Sequence, residues 1–286
     1  MARHLIALVL LAVSPASAQP AGAGQRADIK APGKIPTDAE CRVLGAPQTP
    51  FAFPVGEILE FDLDAMGAEA GKMTLRVLPR RDGRIPIEVK AQTNTFFSKV
   101  RRVKATAMSY LHPKTLRPDR YIEDAVENEV AKYAEVSFRP ESRRVLLDYR
   151  IGTRGGKRQF RLAKEAFDPA GAIYLLRQLP LKEGMPLCFD AYGIRTMWRV
   201  FGHVVGKEQV SLKLGEFEAW HLQGEAVRLD DPRWRREIHL WISADERRLP
   251  LAAVGVIDLG AVRATLTGFS RPEGGKKAKG AESMKW

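Results

Sequence analysis

Glu57-Ile-Leu-Glu-Phe-Asp-Leu-Asp64 puts Leu59, Phe61 and Leu63 on one face and Glu60, Asp62 and Asp64 on the other. A period of two is the mark of a half-buried strand. Gly67 to Gly71 makes a turn, and Met73, Leu75 and Val77 then alternate with Lys72, Thr74 and Arg76. Arg80-Arg81-Asp82-Gly83 carries an Asp-Gly turn signal, and Ile85, Ile87, Val89 and Ala91 alternate again. Three strands with short turns form an antiparallel meander.

Outward from this stretch the pattern persists. Val100 to Leu111, Tyr121 to Val126, Val130 to Phe138 and Arg144 to Ile151 read as strands, with a short one near Phe160. Met197 to Val205, Val210 to Leu214, Phe217 to Leu229, Arg235 to Ser243, Leu251 to Leu259 and Ala261 to Phe269 follow. Pro113, Pro118 and Pro140 fall in the joints, where a missing N–H does no harm. One segment breaks the period. Asp168 is an acidic N-cap, Pro169 takes the first helical position, and Ile173, Leu175, Leu176 and Leu179 fit helical spacing before Pro180. This predicts one helix of about ten residues sealing an opening of the sheet. About a dozen strands are too many to stay flat. The expected fold is mainly β: a large antiparallel sheet curled into a barrel, half-barrel or sandwich over residues 51–271.

The first 18 residues have a basic start, an apolar run from Leu5 to Val13 and a small-residue end at Ala16-Ser17-Ala18. That is the pattern of a secretory signal peptide cleaved after Ala18, and the run is too short for a membrane span. The expected location is periplasmic or extracellular. Residues 19–50 form an irregular Ala/Gly/Pro-rich extension, and residues 272–286 a basic Gly/Lys-rich tail ending in Trp286. In an exported chain the two cysteines, Cys41 and Cys188, point to a bridge; two unpaired thiols are the alternative.

The chain carries a net charge of +12. Such a charge favours anionic partners: lipid headgroups, lipopolysaccharide or acidic polysaccharide. The alternative is a dispersed charge that only solvates the surface, because the arginine pairs are scattered along the chain. No nucleic-acid module is present. No phosphate loop, dinucleotide fingerprint or G-x-S-x-G elbow appears, so no cofactor is expected and an enzymatic reading is the weaker one.

Gly56-Glu57 before a strand, the helix Ala172-Ile-Tyr174-Leu-Leu-Arg177, Leu240-Trp241-Ile242-Ser243-Ala244-Asp245 and Arg248-Leu249-Pro250 together resemble an exported bacterial family, domain of unknown function 3108. The resemblance spans roughly residues 50–270. It implies a periplasmic or cell-surface β-protein of Gram-negative bacteria with no established activity. The implied sheet is similar to lipoprotein-carrier folds, which hold acyl chains on a concave apolar face; that link is analogy of fold alone.

Candidate site residues follow from polar groups beside aromatics. Trp198, Trp220 and Trp241 lie in strands next to Arg199, His221 and, two positions away, His239. On Arg235 to Ser243 one face is Ile238, Leu240 and Ile242, the core; the other is Glu237, His239 and Trp241, either a ligand groove or carbohydrate platform or simply a solvent-facing strand with a partly buried Trp. Tyr174 and Arg177 share a helix face, with Arg177 placed either at a cavity rim for an anionic headgroup or in a structural contact with loop carbonyls. His203, His221 and His239 sit on three strands, but their spacing does not make a zinc motif, and no metal is expected. Asp62 and Asp64 read as a solvated face. Three readings follow: an amphiphile- or envelope-polymer-binding protein, an interaction module working through strand edges or basic surface, and a hydrolase with an unfamiliar site.

Overall fold

The alternation in Glu57–Asp64 becomes the central strand of a single fifteen-stranded sheet, in a computed structural model that describes residues 34–41, 44–47, 53–65, 67–162, 165–257 and 260–272. The strands are β1 (Ile58–Ala65), β2 (Ala68–Val77), β3 (Ile85–Thr93), β4 (Val103–Leu111), β5 (Pro118–Glu127), β6 (Val130–Arg139), β7 (Arg144–Ile151), β8 (Arg154–Arg161), β9 (Ala166–Phe167), β10 (Pro186–Gly193), β11 (Thr196–Leu212), β12 (Gly215–Arg228), β13 (Arg235–Ser243), β14 (Pro250–Ile257) and β15 (Gly260–Ser270). One helix, α1 (Pro169–Gln178), lies between β9 and β10. The proposed signal peptide and the tail from residue 273 lie outside the described residues.

The order runs from β8 down to β1, crosses to β15, and continues down to β9. Every pairing is antiparallel except β9 with β10. The two edge strands are therefore neighbours in sequence. Strand twist accumulates over so many strands and turns the edges toward each other. Arg158 of β8 donates to the carbonyl of Arg195 in the β10–β11 turn at 2.7 Å, and the rings of Tyr121 (β5) and Tyr192 (β10) lie 5.7 Å apart. The helix packs on β3 and β4 on one side and β9 and β10 on the other. It fills the curl as a plug.

Leu59, Leu75, Ile87, Leu111, Val136 and Val145 are fully buried on the inner face against Leu175 and Leu179 of the helix. Asp168 caps that helix by accepting from the Gly171 N–H at 2.9 Å, and Leu179 ends it in an extended conformation. Asp82 and Gly83 both take positive φ (50° and 72°), the geometry of the tight hairpin their dipeptide predicts.

Three differences from the sequence reading have physical causes. The segment of β10 lacks alternation because both faces are covered: six of its eight residues are buried, the inner ones by the core and the outer ones by the N-terminal segment. β8 (Arg154–Arg161) is a full strand although it carries almost no apolar residue; its backbone pairing with β7 sets it. The stretches read as two strands across Gly206 are one 17-residue strand, β11, with a bulge at Gly206 that absorbs the bend at φ 151°.

Cys41 and Cys188 are bonded, across 147 residues of chain. Around the bridge, Arg199 joins Asp190 (2.8 Å), Asp38 (2.9 Å) and the Pro36 carbonyl (3.0 Å). Glu165 accepts from the Leu44 N–H at 2.7 Å, and Arg117 donates to the Leu44 carbonyl. Residues 34–41 are thereby strapped over β10 and β11, and Leu44 is tied to Glu165 and Arg117.

Candidate functional site

Opposite the helix, the inner face of β10–β14 does not close on itself. Ala172, Ile173 and Leu176 of α1 face Phe189, Leu222 and Leu240 across a cavity of about 90 Å³. The surface it presents is almost wholly apolar. Small residues make it hollow. Gly202 and Gly224 stand directly opposite each other on β11 and β12. A Cβ on Gly202 would meet the Gln223 carbonyl oxygen at 2.1 Å, and one on Gly224 would meet the Phe201 carbonyl oxygen at 2.4 Å. Only glycine fits at either position. Ile173, Ile238 and Leu240 remain partly exposed, so the cavity is a groove open to solvent.

The expected site residues separate into distinct places. Arg177 is wholly inside, not at a rim. It forms a two-pronged pair with Glu57 (2.8 and 3.0 Å), donates to the Arg248 carbonyl (2.7 Å), and lies 3.7 Å from the centre of the Phe53 ring. Arg271 contacts the same Glu57 carboxylate at 2.9 Å. Tyr174 is buried beside them, its hydroxyl pushed up by burial. Trp198 is buried, donates to the Gly193 carbonyl at 3.1 Å, and packs on Ala226. Trp220 is half-buried under Lys207, whose ammonium lies 5.2 Å from its ring centre.

His239 and Trp241 do come together, on the outer face of the groove wall, and His221 joins them. The register sets Trp241 opposite His221. The two imidazoles lie side by side, joined at 2.9 Å between His221 Nε2 and His239 Nδ1, and both stack on the indole at 4.6 and 5.6 Å. Glu208 stands 3.5 Å from His221 Nδ1 and accepts from the Trp241 N–H; Glu237 stands 3.2 Å from His239 Nε2. Desolvation pushes the His221 pKa down, ahead of the opposing pull of Glu208. His203 is exposed on β11, and no metal-holding cluster of His, Cys, Asp and Glu exists among the described residues.

Two buried carboxyls line the curl itself. Burial raises Glu123 to about 7 and Asp168 to about 6, against hydrogen bonds from Tyr121 and from the Gly171 N–H and Ser109 respectively. A folded-state pKa above the unfolded one means that the native protein holds protons the unfolded chain has released. Stability is therefore expected to fall as pH rises from about 4.5 to about 7. Urea unfolding at intervals across that range checks this; Glu123→Gln is expected to flatten the curve and raise stability above pH 7. A Glu123→Gln profile as steep as that of the unaltered protein would contradict it.

Residues absent from the sequence reading include Glu57 as the partner of Arg177, and the Gly202–Gly224 pair. The glycines carried a usable signal: folding the β11–β12 hairpin about Lys213-Leu214 with one bulge places them opposite each other. Glu57 stood in the Gly56-Glu57 motif of the family resemblance, but its pairing left no local mark, since its partner is 120 positions away.

The model of the family described as "Protein of unknown function (DUF3108)" matches residues 60–267. The chain belongs to this family. A beta-barrel-like protein of domain of unknown function DUF1849 from Brucella abortus is similar in structure at a TM-score of 0.53, with 9% identity, over 78% of this chain and 100% of the other. At that identity the likeness speaks for the shared β-barrel-like fold. Looser matches are a protein described as exported, with a YmcC-like fold, from Bacteroides fragilis (TM-score 0.30, 8% identity, 77% and 99% covered) and one described as a lipoprotein from Parabacteroides distasonis (0.32, 7%, 77% and 98%). No curated protein matches.

Proposed function

We propose that this DUF3108 member is an exported envelope protein that binds an amphiphile without altering it, holding an acyl or similar apolar chain in the groove between α1 and β10–β14. The signal-peptide pattern of residues 1–18 supports export. The observation that carries the binding reading is the apolar groove floored by Gly202 and Gly224. A folded protein ordinarily fills such space with side chains, and here the glycines and alanines leave it open. A half-open apolar slot is the shape that takes a chain and leaves a polar head in solvent. The headgroup contact does not fall to Arg177, whose charge is already matched by Glu57 inside the fold. The buried serines with carboxylate partners, Ser109 and Ser243, spend their hydroxyls on the helix cap and on the Asp245 turn, which favours binding over hydrolysis.

Native mass spectrometry of gently purified protein, followed by titration with a fluorescent fatty acid, tests this reading. Ala172→Phe, which fills the groove from the partly exposed side of the helix, is expected to weaken probe binding about tenfold or more, because it removes most of the apolar contact. Circular dichroism and urea unfolding confirm that the variant is folded. A protein that carries no ligand and fails to take up the probe, or a variant that binds as before, would end this reading.

A further inference from the structure

The turns β1–β2, β3–β4, β5–β6 and β7–β8 all fall at one end of the sheet. Nine large hydrophobic side chains are exposed among the described residues, and five of them are at this end: Phe96, Val100, Val126, Val130 and Leu229. The two most exposed of all, Phe96 (69%) and Val100 (63%), sit on one turn of the β3–β4 connection. Single exposed apolar residues are ordinary; the concentration of the extreme ones at one tip is not.

The tip is held in shape. Phe97 is buried in a small cluster with Ala65, Ala70 and Val262, which anchors the helical turn Phe97–Lys99. Asn94 accepts from the Phe97 N–H at 2.7 Å and donates to the Glu69 carbonyl at 2.6 Å. Arg101 closes the loop on Glu127 at 2.6 Å. Phe96 and Val100 stand at the two ends of the turn, each more than half exposed. The loop joins the next turn through Asn128, which accepts from the Arg102 N–H at 2.9 Å, and that turn joins the β7–β8 turn through Gly152 and Ala131. Around this rim Lys99, Arg102, Lys104 and Arg154 are exposed, against the exposed carboxylates Glu69, Glu129 at 3.9 Å from Arg102, and Asp230, which is paired with Arg228 at 2.9 Å.

We infer that this end of the barrel docks on an anionic phospholipid surface, with Phe96 and Val100 entering the headgroup boundary and the surrounding cations meeting lipid phosphates. Apolar tips ringed by basic residues match the two attractions of a charged bilayer, burial of apolar area and charge pairing. The cations are too spread around the rim to form one pocket for a single anion, whereas a charged plane engages them together. The inference stands apart from the groove reading and does not need it.

The test is co-sedimentation of the full chain with vesicles of phosphatidylcholine alone and of phosphatidylcholine with phosphatidylglycerol. Every protein compared carries the same N-terminus, so any binding by residues 1–18 cancels. The unaltered protein is expected to prefer the anionic vesicles and to release them in high salt. Phe96→Ser/Val100→Ser and Lys99→Glu/Arg102→Glu are each expected to weaken binding about tenfold; Ala172→Phe is expected to leave it unchanged. Phe96→Trp is expected to shift its emission to the blue on the anionic vesicles. No preference for anionic vesicles, Phe96→Ser/Val100→Ser binding as before, or an unshifted Phe96→Trp emission would each overturn the inference. So would an outcome in which the serine variant loses self-association instead of vesicle binding, since that would make the tip a protein contact.

Discussion

Glu57→Gln is expected to destabilise the protein by about 3–5 kcal/mol, the range for breaking a buried ion pair from one side. The carboxylate is fully buried and serves two guanidiniums, Arg177 with no exposure and Arg271 with a quarter. Removing its charge leaves Arg177 desolvated, facing Arg271, with the Arg248 carbonyl and the faces of Phe53 and Tyr174 as its remaining support. Equilibrium unfolding in urea at unchanged m-value measures the loss. The double variant Glu57→Leu/Arg177→Met is expected to be more stable than Glu57→Gln alone, because apolar groups of similar volume escape the desolvation cost. A Glu57→Gln variant within about 1 kcal/mol of the unaltered protein would show that the pair is not needed to hold α1 to the start of β1.

Cys41→Ser/Cys188→Ser is expected to cost about 2–5 kcal/mol, with the chain-entropy estimate near the top for a loop of 147 residues. The bridge holds residues 34–41 against β10; without it they depend on Arg199 with Asp38 and the Pro36 carbonyl, and Leu44 on Arg117 and Glu165. Reducing agent should reproduce the variant's lowered urea midpoint in the unaltered protein and leave the variant itself unmoved. Equal midpoints with and without reductant in the unaltered protein would refute the expectation.

Much of the architecture was readable along the chain. Leu59-Phe61, Met73-Leu75-Val77 and Ile85-Ile87-Val89 each showed an inner face, and the Asp168-Pro169 start located the only α-helix among the described residues. Where alternation fails, a strand was missed or shortened. β10 is covered on both faces, so its Phe189, Asp190 and Ala191 are all buried and show no period. β8 is an exposed basic edge and shows none for the opposite reason.

The candidate site was readable only in fragments. The division of Arg235 to Ser243 into an Ile238/Leu240 face and a His239/Trp241 face was visible, because neighbours in a strand always point to opposite sides. That His221 completes the stack depends on the β12–β13 register, which relates residues 20 apart.

Local sequence therefore decides which residues face inward, where the turns fall and where the helix begins, since each depends on a handful of adjacent side chains. The hollow over Gly202 and Gly224, the burial of Arg177 against Glu57 and the gathering of Phe96, Val100 and Val130 at one end depend on which strands become neighbours when the sheet curls. That choice is made by the packing of the whole curl around α1, and no window of consecutive residues contains it.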